Sequence, residues 1–157
     1  MSKIHLTTFL AAPVERVFDL CRSINLHKIS TMHTHERAIA GTTSGLIELG
    51  ETVTWQAKHL YKIRLFTSKI TAMQRPDHFT DKMIKGDFSK FEHEHHFKGI
   101  NNGTIMIDLV EFESPYGIIG KLFNKFYLKN YIETLLVHRN DVIKDYAETT
   151  KWKAILI

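Results

Sequence analysis

The stretch Phe91-Glu92-His93-Glu94-His95-His96-Phe97 sets three histidines and two glutamates between two phenylalanines. Imidazoles and carboxylates at this density can hold a metal, move a proton or hydrogen-bond a ligand. Spacing sorts them. In a β-strand, alternate side chains point to opposite faces, so Phe91, His93, His95 and Phe97 share one face. Glu92, Glu94, His96 and Lys98 share the other. Two phenylalanines turned to water would forgo roughly 1.5–3 kcal/mol of burial each. The aromatic row, and His93 and His95 with it, is therefore expected to face the interior, with Glu92, Glu94 and His96 in solvent. A one-residue bulge would reverse the faces from that point onward.

Other chemical signals are weaker. No G-x-S-x-G nucleophile motif is present. Gly117-Ile118-Ile119-Gly120-Lys121 lacks the Walker spacing and the following Ser or Thr of a phosphate loop, and reads as a turn opening a helix. A second His-x-His, His33-Thr34-His35, follows a short helical segment and is assigned to a surface or rim. Arg139 lies inside an apolar helical stretch, either as a snorkelling surface residue or as a buried cation that could meet a carboxylate. Cys21, on an apolar helical face beside Phe18, reads as a buried structural thiol.

The elements that must position these groups follow from periodicity. Val14, Val17, Phe18 and Cys21 form a helical face after Pro13, predicting a helix over 14–22 and a second over 24–29. The period then changes to two. Val53, Trp55, Ala57 and His59 share a face, as do Phe66, Ser68, Ile70 and Ala72, and then Phe79, Asp81 and Met83. Residues 104–113 are apolar on both faces apart from Asp108 and Glu111. Strands are predicted over 3–10, 33–40, 51–60, 63–75, 78–85, 90–98 and 104–113. Short Gly-, Asp- and Asn-bearing links join them into an antiparallel meander. After Pro115 a stripe through Ile119, Leu122, Phe123, Phe126, Leu128, Tyr131, Ile132, Leu135, Leu136, Val142, Ile143 and Tyr146 predicts one long helix over 117–148. Such a helix must bury its stripe against the sheet, which makes the chain an α+β domain.

Composition narrows the setting. The 157 residues are 43% hydrophobic, enough for one core, and are read as a single domain over 1–150 with a short apolar tail over 151–157. The 21 Lys and Arg residues are scattered and the net charge is +4, which argues against a nucleic-acid partner. One cysteine excludes an internal disulfide and fits a reducing, cytoplasmic location. His5, Thr7 and Thr8 interrupt any signal-like apolar run, and no segment has the length of a membrane span. The Asn102-Gly103-Thr104 sequon would then stay unglycosylated. The tail, with Trp152, Ile155, Leu156 and Ile157 between and beyond Lys151 and Lys153, is expected to pack on the sheet or on a second copy in a homodimer. A weak membrane or partner contact is the alternative, with no stable membrane anchor.

Element order and six stretches together resemble the helix-grip fold of the START/SRPBCC superfamily, and within it bacterial cyclase-like or cell-division-labelled proteins. The stretches are AAPVERVFDL, GLIELGETVTWQAKHL, TSKITAMQRPDHFTDKMIKGDF, FEHEHHF, NNGTIMIDLVEFESPYGIIGKL and LLVHRNDVI, which span nearly the whole chain. The resemblance implies a seven-stranded curved antiparallel sheet wrapped around a long C-terminal helix, with two short helices after the first strand. It also implies a cavity for a small, largely apolar molecule, and no metal or other cofactor. On that fold, Asp81, His93, His95 and Asp108 should lie side by side across three strands, with His59 farther along the sheet. The expected ligand-binding set is Trp55, His59, Phe66, Phe79, Asp81, Met83, Phe91, His93, His95, Phe97, Asp108 and Arg139. Binding or carriage of a lipid, polyketide-like or aromatic molecule is expected ahead of catalysis, and no catalytic residue is assigned. The alternatives are a cyclase- or hydrolase-like enzyme using a His/Asp pair, and an interaction module regulated by its ligand.

Overall fold

Strand β1 (Ser2–Leu10) leads into two short helices, α1 (Val14–Cys21) and α2 (Ile24–Ser30), and the strands β2 (Arg37–Gly41), β3 (Thr52–His59), β4 (Lys62–Gln74), β5 (His78–Lys85), β6 (Lys90–Ile100) and β7 (Gly103–Glu113) follow. A long helix, α3 (Lys129–Glu148), and a terminal turn, α4 (Lys153–Leu156), complete the chain. The computed structural model describes residues 1–114 and 127–157. The expected helix start at 117, the stripe residues Ile119, Leu122, Phe123 and Phe126, and the Gly117–Lys121 turn lie outside the described residues.

Among the described residues, seven strands form one antiparallel sheet in the order β1-β7-β6-β5-β4-β3-β2. The meander runs from β2 to β7, and β1 returns to pair with β7, so Ser2 faces Phe112 and Leu10 faces Thr104. Val53, Trp55, Ala57, Ser68, Ile70, Phe79, His93, His95, Phe97, Met106, Asp108 and Val110 are buried. They mark the concave face, onto which α3 turns Ile132, Leu136, Arg139, Asn140, Ile143 and Ala147. The ambiguous seventh strand resolves as strict alternation, with Thr104, Met106, Asp108, Val110 and Phe112 all buried.

The predicted strand over 33–40 is corrected. Met32–Thr34 form a 3-10 turn, His35 is left-handed at φ 53°, and pairing begins only at Arg37. Local bonds compete with the ladder here: the Thr34 hydroxyl donates to the Thr31 carbonyl at 2.9 Å, and the Thr31 hydroxyl to the His27 carbonyl at 2.8 Å. His33 packs edge-to-face on His138 of α3, with centroids 4.7 Å apart.

The apolar core has two parts. One gathers Leu10, Phe18, Leu26, Trp55, Phe79, Phe97, Met106 and Ile143 beneath α1 and α2. The other gathers Ile4, Val110, Phe112, Leu128, Ile132 and Leu136 under the N-terminal half of α3. Asp108, between Met106 and Val110 on β7, and Arg139, between Leu136 and Ile143 on α3, are polar residues in strand and helix faces otherwise given to these two clusters.

Candidate functional site

Strand register brings the polar set together. Asp81 pairs with His93 across β5 and β6, and His95 pairs with Asp108 across β6 and β7. The hydrogen bonds nevertheless run on the diagonals: His93 Nε2 lies 2.7 Å from Asp108 Oδ1, and His95 Nε2 lies 2.7 Å from Asp81 Oδ2. A long side chain on a pleated sheet reaches such diagonal neighbours. The two imidazoles stack with centroids 3.7 Å apart, and Phe79 covers the outer face of His95 at 4.1 Å. From α3, Asn140 Nδ2 donates to Asp108 Oδ2 at 2.7 Å, and Arg139 donates to Asp108 Oδ1 at 3.4 Å and to Asn140 Oδ1 at 2.9 Å. The Ser68 hydroxyl donates to Asp81 Oδ1 at 3.3 Å.

These contacts set the charges. Burial raises both carboxyls, but opposing interactions prevail. For Asp81, the His95 bond with the charges of His95, His93 and Arg139 brings it down to about 2. For Asp108, the His93 bond, the nearby His95 ring and the Arg139 charge hold it well below the ordinary carboxylate range. Burial and the neighbouring His95 push His93 down, against the pull of Asp108. The resting arrangement is therefore two carboxylates, one guanidinium and a neutral His93 whose Nε2–H donates to Asp108. The open question over Arg139 closes with the side chain buried, 7% exposed, as a cation facing Asp108.

A cavity of about 470 Å³ lies between sheet and α3. Of the expected set, Trp55, His59, Phe66, Phe79, Asp81, Phe91, His93, His95 and Arg139 line it. Met83, Phe97 and Asp108 do not. Phe97 is core, packed against Phe18 at 5.4 Å. Met83 turns its sulfur into the space that a Cβ on Gly86 would need. Asp108, 0% exposed, sits behind His93 and Arg139 and hydrogen-bonds both. Sequence reasoning passed over Asn140, Glu36, His27, Tyr131 and Arg64. Only Asn140 carried a signal, a second polar residue beside Arg139 in an apolar helical face.

Asp81, His93 and His95 each offer one donor atom, all within 4.8 Å of one another, a spacing three metal ligands could use. Both Nε2 atoms already bond carboxylates, and Arg139 stands 3.4 Å from His95 Nδ1. A divalent ion there would meet a fixed positive charge. The donor set suits an acid–base or hydrogen-bonding role better than a metal.

No protein-family model matches the chain, and no curated protein matches it. Solved structures do. A Thermus thermophilus protein superposes with TM-score 0.70 at 19% identity, over 90% of this chain and 97% of that one. Ginseng major latex-like protein 151 from Panax ginseng gives 0.69 at 14% identity, over 93% and 97%. A START superfamily protein from Mycobacterium smegmatis gives 0.69 at 11% identity, over 92% and 96%. Identities this low carry the fold alone. With the seven-stranded sheet curved against its last long helix, this chain has the START/SRPBCC helix-grip fold.

Proposed function

We propose that the protein binds or carries a small, largely apolar molecule bearing a polar group, held between the sheet and α3. The observation that carries this reading is the cavity itself. Its volume of about 470 Å³ falls in the range of small-molecule sites, and its walls are mainly apolar, from Trp55, Ile70, Phe66, Phe91, Ile132 and Leu136. One set of polar groups, Asp81, His93, His95 and Arg139, converges where it would orient the ligand's polar end. A lipid, polyketide-like or aromatic compound fits such walls, which discriminate poorly between molecules differing by a methylene.

A second reading, catalysis of a cyclase- or hydrolase-like kind, is favoured by one observation. His95 faces the cavity with Asp81 at 2.7 Å, the arrangement of a general base and its orienting carboxylate. Native mass spectrometry of protein purified from its own host tests both. A copurifying apolar molecule that survives incubation unchanged supports carriage; its conversion, abolished in His95→Gln, supports catalysis. Absence of both a copurifying molecule and uptake of any apolar probe would refute the binding reading. A reducing, cytoplasmic setting suits a chain with one cysteine. No helix of the described residues is long and apolar enough to cross a membrane.

A further inference from the structure

A second polar group lines the same cavity at its other end. Glu36, its side chain 11% exposed, bonds His27 Nε2 at 2.7 Å. His59 Nδ1 lies 2.8 Å from the Tyr131 hydroxyl. The other nitrogen of His59, Nε2, stands 4.0 Å from Glu36 Oε2, too far for a direct hydrogen bond. These residues come from α2, the loop before β2, the end of β3 and α3, and His27, Glu36, His59 and Tyr131 all line the cavity. The His27 ring packs on Trp55 at 4.3 Å. Val53 pairs with Ser68, which bonds Asp81, and so marks the level of the first polar group. From Val53 to His59 is six residues of β3, on the order of 20 Å of strand at about 3.3 Å each. Trp55, Ala57 and Phe66 make the wall between.

We propose that the ligand is two-ended, an apolar body with a hydroxyl at each extremity, and that its second hydroxyl sits between His59 and Glu36. This rests on the binding reading above and specifies the ligand class. Burial pushes His59 down, so its ring is neutral. Burial raises Glu36, but the charge and hydrogen bond of His27 outweigh it and keep the group a carboxylate. The facing Glu36 carboxylate favours the His59 proton on Nε2, which leaves Nδ1 to accept from the Tyr131 O–H. A hydroxyl bridging the 4.0 Å gap accepts from Nε2–H and donates to Oε2, so both are satisfied at once. A methyl end would leave two half-buried polar atoms facing hydrocarbon. A carboxylate end would meet the charge of Glu36. Arg64, the nearby guanidinium, is engaged by Asp87 at 2.6 Å and by the His59 carbonyl at 3.1 Å. At the first group, Asp81 and, with the His93 proton on Nε2, its Nδ1 are acceptors, which also suits a hydroxyl donor.

Calorimetric titration with the terminal diol dodecanediol, the mono-alcohol dodecanol and the diacid dodecanedioic acid tests the inference on the intact protein. The diol should bind roughly tenfold tighter than the mono-alcohol, as expected for one added hydrogen bond to a charged group, and the diacid more weakly than either. Glu36→Gln and Tyr131→Phe should each bring the ratio of diol to dodecanol affinity, measured in the same variant, down toward one. Tyr131 is partly exposed, so its variant serves even if Glu36→Gln does not fold. Equal affinities for diol and mono-alcohol would overturn the two-ended ligand and leave the apolar cavity reading standing. An advantage that survives both substitutions would overturn the placement of the second hydroxyl. Failure of all three probes to bind would overturn both readings together.

Discussion

The rings of His93 and His95 stack 3.7 Å apart, yet each reaches past the other to a carboxylate on the far neighbouring strand. His93, opposite Asp81, bonds Asp108; His95, opposite Asp108, bonds Asp81. The crossing ties β5, β6 and β7 together through side chains, and Arg139 and Asn140 extend the tie to α3. One histidine cannot change ring orientation without disturbing the other.

This crossed arrangement predicts which histidine answers to which carboxylate. Asp108→Asn should move the ring nitrogen NMR signals of His93, and Asp81→Asn those of His95, while Glu94→Gln, which touches His96, should leave both in place. The stability costs should differ as well. Asp108 is fully buried, and its neutralisation leaves Arg139 an uncompensated buried cation, so urea unfolding should show a loss of about 3–5 kcal/mol. Asp81 has a side chain 21% exposed, so its loss should cost about 1–3 kcal/mol. Equal histidine responses to both substitutions would refute the crossing.

Stability should fall on acidification in two stages. His93 and His59 are both pushed below the ordinary imidazole value, chiefly by burial. As pH drops below about 6.5, the unfolded chain takes up protons that the folded chain does not, and stability declines. Asp81, Asp108 and Glu36 are held below the ordinary carboxyl values. Their contribution, complete above about pH 4, is lost as pH falls toward their folded values, about 2 for Asp81. Melting temperatures measured across this range should fall through both windows, and His93→Gln should flatten the upper one. A melting temperature that rises between neutrality and pH about 5 would contradict both histidine assignments.

How far the sequence disclosed this depends on the kind of order involved. The face of His93 and His95 was legible because β6 is buried on one side only, and period-two alternation reports that directly. The register of Asp81 and Asp108 followed from short turns. The short length of β2 was hidden, because hydroxyls of Thr31 and Thr34 close a turn that alternation cannot register. Phe97 and Met83 share the cavity's face but not its wall, since which aromatic meets α1 is decided by how the helices lie on the sheet. Of the second polar group only His59 was legible, on its strand face; Glu36, His27 and Tyr131 were hidden for the same reason. These three lie far apart in the chain, and each alone reads as an ordinary helix or loop residue.

Cys21 offers a direct probe of the cavity. Burial pushes its thiol up to about 12, against the nearby Arg139 charge, and what surface it keeps belongs to the cavity lining. N-ethylmaleimide, small and uncharged, should modify it slowly, and dodecanol should slow the reaction further by filling the same space. A charged thiol reagent should react far more slowly than the maleimide. Rapid modification by the charged reagent would mean that the thiol opens to solvent rather than to the cavity.

The C-terminal segment packs on its own chain. Trp152 lies over the Arg16 guanidinium of α1 at 4.2 Å, Arg16 donates to the Ala147 carbonyl at 3.1 Å, and Ile155 and Leu156 pack against the larger core cluster. Ile157, 88% exposed, projects into solvent. Three half-buried apolar side chains and one cation–π contact are worth about 2–5 kcal/mol together. Removal of residues 151–157 should therefore lower the unfolding free energy obtained from urea titration by that amount, with solution mass and partition into vesicles unchanged. Trp152→Ala should reproduce a large part of the loss, because it removes both the ring over Arg16 and its packing on α1. A change in mass with unaltered stability would transfer the segment to a subunit contact, and loss of vesicle binding would transfer it to a membrane surface.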